Sequence, residues 1–415
     1  MPDMIDSRYA TPEAKGAFMK KQFGTSVLAL ALILTCPCII GCGGKRGKIE
    51  RITENGVEVV MNHLEPYRMP GRPSSLNLQE ILAVDTESNM VAKAGVTDIY
   101  LFDVDSQGNI YVIVPPTHPG NIVFKLSPEG KPLLSFGPMG QGPFELEYPG
   151  GVHIDAMDRV WVLESPKNKY HIYDGSGRSL TEGGPEGGFE DIVQLNNGTF
   201  LVSRMEKGDL KGKYLSLVTG IAGKDFRFRH EIDRFASYPN KLILDKVPEK
   251  YVSGIDYVFL AKTSADRIFT GNSDRDYEIV VFDLEGKLLH KIRKEYKPVP
   301  VPDEFRKRTL KIYEEGIPEY AAKMYFPENW HAFQSFIADE AGRLLVMTYE
   351  PGKAPGEFIF DIIDTDGAFI GRTSLNVVRP GLGRILARVR GDRLYVVQEK
   401  PSGFKRLAVY RMIWQ

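Results

Sequence analysis

The sequence predicts an all-β fold, a six-bladed β-propeller of four-stranded antiparallel blades with a small helical insertion between blades 4 and 5. Three observations lead to this prediction. A degenerate turn-and-strand repeat recurs along the chain, a second strand–turn–strand motif follows several of its copies, and the repeat interval is close to that of propeller blades. The 41 glycines and 27 prolines supply turn-forming residues for many short strands.

The first repeat is a short segment that ends in an acid or Asn, followed by a tight turn and alternating strand residues. Its copies are 104–113, 154–163, 195–202, 263–269, 337–346 and 390–397. The second motif has a strand, an acid-bearing turn, a glycine and another strand, at 123–131, 170–178, 280–287 and 362–367. Glycine supplies the positive φ of such a turn, and Asp or Ser closes it. The unit is therefore a four-stranded antiparallel meander.

The repeat interval indicates the number of blades and the place of insertions. Equivalent turn positions at residues 108, 158, 198, 266, 342 and 392 are separated by 50, 40, 68, 76 and 50 residues. Blades recur at about 40 to 50 residues, so the two long intervals contain insertions, near 236–255 and 297–330. The second insertion has a helical pattern over 303–316, with Phe305, Thr309 and Ile312 on one face and Gly316 as its stop.

Closure of the ring requires a strand from elsewhere in the chain. The last repeat supplies three strands, near 385–389, 394–398 and 407–413. An unpaired sheet edge is a liability, and propellers protect theirs. We expect residues 78–85 to donate the outer strand of blade 6, and residues 57–61 are the rival donor.

The N-terminal segment has the pattern of a secretory signal. A basic start at 19–21 precedes an apolar run, and Met19 is favoured as the true initiator. Residues 39–42, Ile-Ile-Gly-Cys, resemble the bacterial lipoprotein cleavage box, in which the cysteine thiol receives a diacylglyceryl group. The alternative is an uncleaved membrane anchor over 23–40. We therefore predict a signal peptide over 1–41 and lipidation at Cys42.

The predicted lipid anchor also explains the distribution of cysteines. The chain has three, at 36, 38 and 42, so the mature protein has no free thiol and no disulfide. Residues 42–55 are then a tether and 56–415 the propeller. The sequence predicts a cell-envelope location, and the glycines at 43 and 44, with no Asp at the second position, favour the outer over the inner membrane.

Composition excludes some partners. The 53 basic and 54 acidic residues give a formal net charge of −1. Nucleic-acid binding normally requires a basic surplus on one face. We therefore expect no nucleic-acid partner.

One segment carries a family resemblance. Residues 136–145, Phe-Gly-Pro-Met-Gly-Gln-Gly-Pro-Phe-Glu, and 149–155, Pro-Gly-Gly-Val-His-Ile-Asp, are similar to the linker and following strand of bacterial lipid-anchored six-bladed β-propellers of the NHL-repeat type. The resemblance extends from about Gly56 to the C-terminus. Phe144 stands where the family usually has Gly. The resemblance implies the propeller fold and says little about activity, because functions are added to such folds at their faces.

Metal binding and catalysis have little support in the residues. The seven histidines, at 63, 118, 153, 171, 230, 290 and 331, show no metal-ligand spacing. Some NHL-type lyases bind a metal through inner-strand histidines, but His153 and His331 alone are too few for a zinc site. We therefore predict no metal and no other cofactor. The repeated acids at 105, 155, 283, 339 and 364 are interpreted as turn-closing carboxylates.

A candidate site is predicted at the entrance of the inner strands. Its residues are Tyr148, His153, Glu190, Tyr257, Trp330, His331 and Arg384. Aromatic side chains around a polar funnel suit a carbohydrate, a peptide or a partner's side chain; alternatively, these aromatics only seal adjacent blades. The favoured function is a ligand-binding or protein-interaction module attached to the membrane through its N-terminal lipid. The alternative is a metal-dependent lyase or hydrolase of the NHL or lactonase-like kind.

Overall fold

A computed structural model describes residues 49–68, 70–116, 120–207, 214–239, 250–378 and 385–415. Six four-stranded antiparallel sheets form a ring, which confirms the predicted six-bladed β-propeller. Inner strands of neighbouring blades contact each other between blades 1 and 2, 4 and 5, 5 and 6, and 6 and 1. None of the helices in these ranges is both long and apolar enough to cross a membrane.

The strands and helices follow one another in the predicted blade rhythm. In chain order they are β1 (Glu50–Glu54), β2 (Val57–Asn62), β3 (Leu76–Asp85), α1 (Asn89–Lys93), β4 (Leu101–Val104), β5 (Ile110–Ile113), β6 (Asn121–Leu126), β7 (Pro132–Pro138), β8 (Gly151–Ile154), β9 (Val160–Glu164), β10 (Lys169–Tyr173), β11 (Ser179–Gly183), β12 (Asp191–Gln194), β13 (Phe200–Lys207), β14 (Tyr214–Ala222), β15 (Phe228–Pro239), β16 (Val252–Ser253), β17 (Phe259–Thr263), β18 (Arg267–Asn272), β19 (Glu278–Asp283), β20 (Leu288–Lys294), α2 (Asp303–Gly316), α3 (Pro318–Ala322), β21 (Met324–Tyr325), β22 (Ser335–Ala338), β23 (Leu344–Pro351), β24 (Glu357–Ile363), β25 (Phe369–Asn376), β26 (Ala387–Arg390), β27 (Arg393–Glu399) and β28 (Lys405–Trp414).

Each blade is a meander that starts at the centre of the ring. Blades 1 to 3 are β4–β7, β8–β11 and β12–β15, and blades 4 and 5 are β17–β20 and β22–β25. Blade 6 is β26, β27, β28 and β3. The innermost strands are therefore β4, β8, β12, β17, β22 and β26, and they surround a central channel.

The ring closes as the sequence predicts. Strand β3 pairs antiparallel with β28, with Val84 opposite Leu407 and Leu78 opposite Met412. Val84 and Leu407 are buried in the core that blade 6 shares with blade 1. Residues 78–85 therefore supply the outer strand of blade 6. A strand from before blade 1 thus completes the last blade.

Residues 57–61, the rival donor, pair with blade 4 and not with blade 6. Part of the predicted tether over 42–55 also belongs to a strand. Strand β2 pairs parallel with β20 on the outside of blade 4, and β1 pairs antiparallel with β2. Asn55 and Gly56 have φ values of 52° and 79°, as a two-residue hairpin turn of type I′ requires. Val59 and Val60 are fully buried. Burial of these two side chains fixes the hairpin, so Glu50–Glu54 is a strand and not part of a tether.

The repeated acids close turns, as predicted. The Oδ1 atom of Asp105 accepts hydrogen bonds from the backbone N–H groups of Gln107 and Asn109, at 3.0 and 2.8 Å. The other four acids, at 155, 283, 339 and 364, accept equivalent backbone bonds. A carboxylate in this position satisfies donors that the tight turn leaves without a strand partner.

The helical insertion between blades 4 and 5 is present as α2 and α3. Its apolar face differs from the predicted one, because Ile312 is 40% exposed whereas Leu310 and Tyr313 pack against a buried cluster. That cluster also contains Tyr251 from the other long interval. Strands β16 and β21 pair in parallel and join the two insertions. The two insertions therefore pack into one unit, and this contact determines which face of α2 is covered.

Candidate functional site

The inner strands of all six blades line one cavity of about 190 Å³ in the central channel. It is smaller than the roughly 300 to 1,000 Å³ that is typical of drug-sized ligand sites. Its lining residues are Asp103, Val104, His153, Ile154, Asp191, Val193, Ala261, Lys262, Thr263, Phe336, Ile337, Ala338, Ile385, Ala387, Arg388, Val389 and Arg390. The wall thus combines apolar side chains with polar and charged ones.

Asp103 connects three blades at the seam where the ring closes. Its Oδ1 atom accepts a hydrogen bond from the N–H of Val104, and its Oδ2 atom accepts one from the N–H of Ile154 on β8, both at 2.9 Å. The Nε atom of Arg388 on β26 lies 3.5 Å from Oδ1. Asp103 therefore holds the inner strands of blades 6, 1 and 2 together inside the channel.

His153 and Asp191 form a second connection, between blades 2 and 3. The Nε2 atom of His153 lies 2.7 Å from Oδ1 of Asp191, which also accepts the N–H of Ile192 at 3.0 Å. The side chain of His153 is 19% exposed and that of Asp191 is 40% exposed. This pair fixes the orientation of the imidazole at the wall of the cavity.

The channel also holds three basic side chains. The Nη1 atom of Arg388 donates to the carbonyl oxygen of Ala387 at 3.0 Å, and that of Arg390 donates to Glu340 at 3.4 Å. Both arginine side chains remain about one-third exposed, at 32% and 33%. Lys262 reaches the cavity from β17. The lining therefore combines three basic side chains with two carboxylates.

The predicted entrance residues do not gather at this cavity. Of those that the structure describes, His153 lies in the lining. Tyr148 is 51% exposed, and the Nζ atom of Lys167 lies 5.6 Å from the centre of its ring. Glu190 immediately precedes β12, and its N–H donates to Ser203 at 2.6 Å. Arg384 lies outside the described residues, as does the predicted lipidation site, Cys42.

The remaining three predicted residues lie near one another between blades 4 and 5. Trp330 stacks on Tyr349 with ring centres 4.7 Å apart and planes at 9°. Tyr257 is only 4% exposed and belongs to the apolar cluster under the insertion. His331 hydrogen bonds to the backbone of Asp256, and burial lowers its pKa to about 4. None of the three is in the cavity lining.

The residues that the sequence reasoning missed are Asp103, Asp191, Lys262, Arg388 and Arg390. A signal for two of them was present, because Arg388 and Arg390 alternate with apolar residues on the innermost strand of the last repeat. In the described ranges, no three His, Cys, Asp or Glu residues gather as a metal site would need.

Comparisons with known proteins add distant similarities. No protein-family model matches the chain, and no curated protein sequence matches it. A solved structure of a protein described as exported from Bacteroides fragilis is 10% identical, with 86% of this chain and 99% of that chain covered and a TM-score of 0.49. A gluconolactonase from Xanthomonas campestris is 12% identical, with coverage of 83% and 99% and a TM-score of 0.38. BamB from Moraxella catarrhalis is 10% identical, with coverage of 81% and 100% and a TM-score of 0.32. These similarities assign neither a family nor an activity.

Proposed function

We propose that this protein is a cell-envelope binding module that holds a ligand in its central channel and is attached to a membrane through lipid at Cys42. One observation carries the proposal: the inner strands of six blades converge on a single cavity whose charged side chains are held by contacts between blades. Such contacts pre-organise the wall, so binding a ligand orders few additional side chains.

The contacts of the Asp103 carboxylate favour a role in ligand binding over a role as a general acid or base. Each of its carboxylate oxygens accepts a backbone N–H, and Arg388 lies beside it. A general base needs an oxygen that can reach a substrate proton. Asp103 is therefore a positioning residue for the channel wall.

An enzymatic function is the second candidate, because His153 has an oriented imidazole. A carboxylate that holds a histidine ring is a recurrent feature of general-base sites and of metal ligation. A metal-dependent lyase or hydrolase would need further ligands beside His153. Replacement of His153 by Gln distinguishes an enzyme from a binding module. An enzyme that uses this histidine should lose its catalytic activity, whereas a binding module should still bind its ligand.

The position of the N-terminal hairpin determines which part of the propeller attachment through Cys42 would hold near a membrane. Strand β1 starts at Glu50 and is docked, through β2, on the outer strand of blade 4. The chain from residue 42 to residue 50 spans at most about 28 Å when fully extended. Acylation at Cys42 would therefore hold the outer edge of blade 4 close to the lipid surface.

Native mass spectrometry of the full-length protein, purified in mild detergent from its own cells, tests the binding function. We expect a non-covalent adduct of low mass. Ala338→Phe, which fills the cavity, should remove the adduct, and Ala265→Phe, at an exposed turn of blade 4, should retain it. An adduct that survives Ala338→Phe, or its absence from the unmodified protein, contradicts a channel ligand.

A further inference from the structure

We propose that one face of the ring rests on the lipid surface, with the side chains of Tyr100, Tyr148 and Phe404 in the headgroup region. This loop face contains the connections from each outer strand to the next inner strand, and the loops between the second and third strands of each blade. The opposite turn face contains the tight turns that the repeated acids close. The inference rests on the attachment through Cys42 proposed above and specifies the surface that meets the membrane.

Strand β1 begins at the loop-face end of blade 4. Its first residue, Glu50, pairs with Met61 near the end of β2, and β2 runs parallel to the outer strand β20. His63 holds this end together, because its Nε2 atom lies 2.9 Å from Glu50 and its Nδ1 atom lies 3.1 Å from Glu295. Since β20 ends at the loop face, the chain that precedes β1 leaves the fold at that face.

The length of that preceding chain favours the loop face over the turn face. Residues 42–50 span at most about 28 Å when fully extended. A strand of six residues such as β2 is about 20 Å long. A lipid surface at the turn face would therefore require a nearly extended chain alongside blade 4, whereas one at the loop face is within easy reach.

The exposed aromatic side chains are an independent observation. Among the described residues, the large aromatic side chains that are exposed are Tyr100, Tyr148 and Phe404, at 41, 51 and 47%. Tyr100 and Tyr148 immediately precede or lie close before the inner strands β4 and β8, and Phe404 lies between β27 and β28. All three are therefore on the loop face. Aromatic side chains favour the boundary between water and lipid.

The turn-face end of the strands has exposed hydrophobic residues of another kind. Met157 lies in a turn and is 63% exposed. The others are leucines at the second position of an outer strand, at 133, 180 and 289. None of these is aromatic, so the two faces differ in the residue type that a membrane interface selects.

The aromatic residues and the start of β1 lie on opposite sides of the ring. Phe404 belongs to blade 6, and Tyr100 and Tyr148 lie at the entries to blades 1 and 2. The chain before β1 leaves from blade 4, which is opposite blade 1 in a ring of six. A flat lipid surface reaches both sides only if it covers the loop face. Contact through the outer edge of blade 4 alone would leave the aromatic residues in water.

The contact is expected to be apolar, because charges beside the aromatic residues are paired within the protein. Lys405, next to Phe404, lies 3.1 Å from Asp98, and Lys400 lies 2.7 Å from Asp85. Helix α2, in a connection of the same face, has equal numbers of acidic and basic residues. Zwitterionic lipid should therefore suffice, and anionic lipid should not strengthen the contact.

Fluorescence quenching by spin-labelled lipid tests which face meets the membrane. The lipidated protein, purified from its own cells in mild detergent, is reconstituted into phosphatidylcholine vesicles that contain the quencher. A fluorophore is attached to Met90→Cys in α1 on the loop face, or to Met157→Cys on the turn face, where both methionines are exposed. We expect the Met90→Cys label to be quenched severalfold more strongly than the Met157→Cys label.

Variants then connect the contact to the aromatic side chains. Combined replacement Tyr100→Ser, Tyr148→Ser and Phe404→Ser should remove most of the quenching of the Met90→Cys label, because the apolar contact with lipid is lost. The matched control replaces the three exposed leucines at 133, 180 and 289 by serine and should leave this quenching unchanged. Circular dichroism checks that both combinations remain folded.

The outcomes separate the orientation from the attachment. Equal quenching of the two labels, stronger quenching of the Met157→Cys label, or undiminished quenching after the aromatic replacements overturns the inference. Protein that does not float with the vesicles contradicts attachment through lipid as well. Flotation with equal quenching of the two labels contradicts only the orientation and leaves the attachment standing.

Discussion

The carbonyl oxygen of Phe144 accepts a hydrogen bond from the hydroxyl of Tyr173 at 3.0 Å, although Phe144 has a φ of 56° in the left-handed region. The ring of Phe144 packs on Tyr173 and on His171, with centroid distances of 6.3 and 6.4 Å. This is the position at which the resembling family usually has Gly. The strained backbone is thus compensated by aromatic packing between blades 1 and 2.

Two substitutions at Phe144 distinguish the effect of its backbone strain on stability from the effect of its ring contacts. Phe144→Gly relieves the left-handed strain but loses the ring contacts, whereas Phe144→Ala loses the contacts and keeps the strain. We expect both to destabilise the fold, and Ala to be worse than Gly by about 1 kcal/mol. Chemical denaturation of the two variants measures this order. An alanine variant as stable as the glycine variant would show that the backbone is not strained at this position.

Loss of strand β3 should prevent cooperative folding, because β28 would then expose the edge of blade 6. A chain that starts at Val91 lacks β3, and we expect it to aggregate. A chain that starts at Gly56 keeps β2 and β3 and loses only β1, so it should remain folded. Size-exclusion chromatography and thermal unfolding compare them. Equal melting temperatures for the two truncations would contradict closure through β3.

His331 should make the protein sensitive to mild acid. Burial lowers its folded-state pKa to about 4, below an ordinary value near 6.5. The unfolded chain therefore takes up a proton at this site before the folded one does, and stability is lost as pH falls from about 6.5 to 4. The loss from this group is up to about 3 kcal/mol.

The free energy of unfolding, measured from pH 7 to pH 4 for the unmodified protein and His331→Gln, checks this effect. The free energy of unfolding of His331→Gln should change less with pH over that interval than that of the unmodified protein. His63 is a control with the opposite sign, since Glu295 and Glu50 raise its pKa, so its contribution is present at low pH and is lost as pH rises. An identical acid response in the His331 variant would rule out this histidine as the cause.

Lipidation at Cys42 remains a prediction from the cleavage-box pattern. Cys42→Ser removes the thiol that would receive the diacylglyceryl group, so we expect no incorporation of labelled palmitate and release of the protein from membranes. Carbonate washing of membranes followed by immunoblotting measures the release. A serine variant that stays in the membrane pellet would favour an uncleaved anchor over residues 23–40.

The fold could be predicted from sequence because a propeller repeats one local unit. Turn acids such as Asp105 and Asp155 recur at the blade interval, and their role depends on residues only two to four positions away. The outer strand from 78–85 followed from the need to close the ring. The β1–β2 hairpin had a local signal in Asn55-Gly56, but its docking on blade 4 is a contact over more than two hundred residues.

The site was harder to predict because it depends on contacts between blades. Tyrosine often lines ligand-binding sites, yet Tyr257 is buried where the two insertions pack together. Conversely, Asp103 and Arg388 are distant in sequence and meet only because blades 6 and 1 are neighbours in the closed ring. A repeat pattern defines strands, but it does not show which side chains of separate blades face one another.

Electron density in the central channel of crystals grown from protein purified from its own cells tests the channel-binding function most directly. We expect density for a small molecule in contact with the inner strands that line the cavity. Density for a ligand elsewhere on the molecule, with only ordered water in the channel, would contradict the function proposed for this propeller.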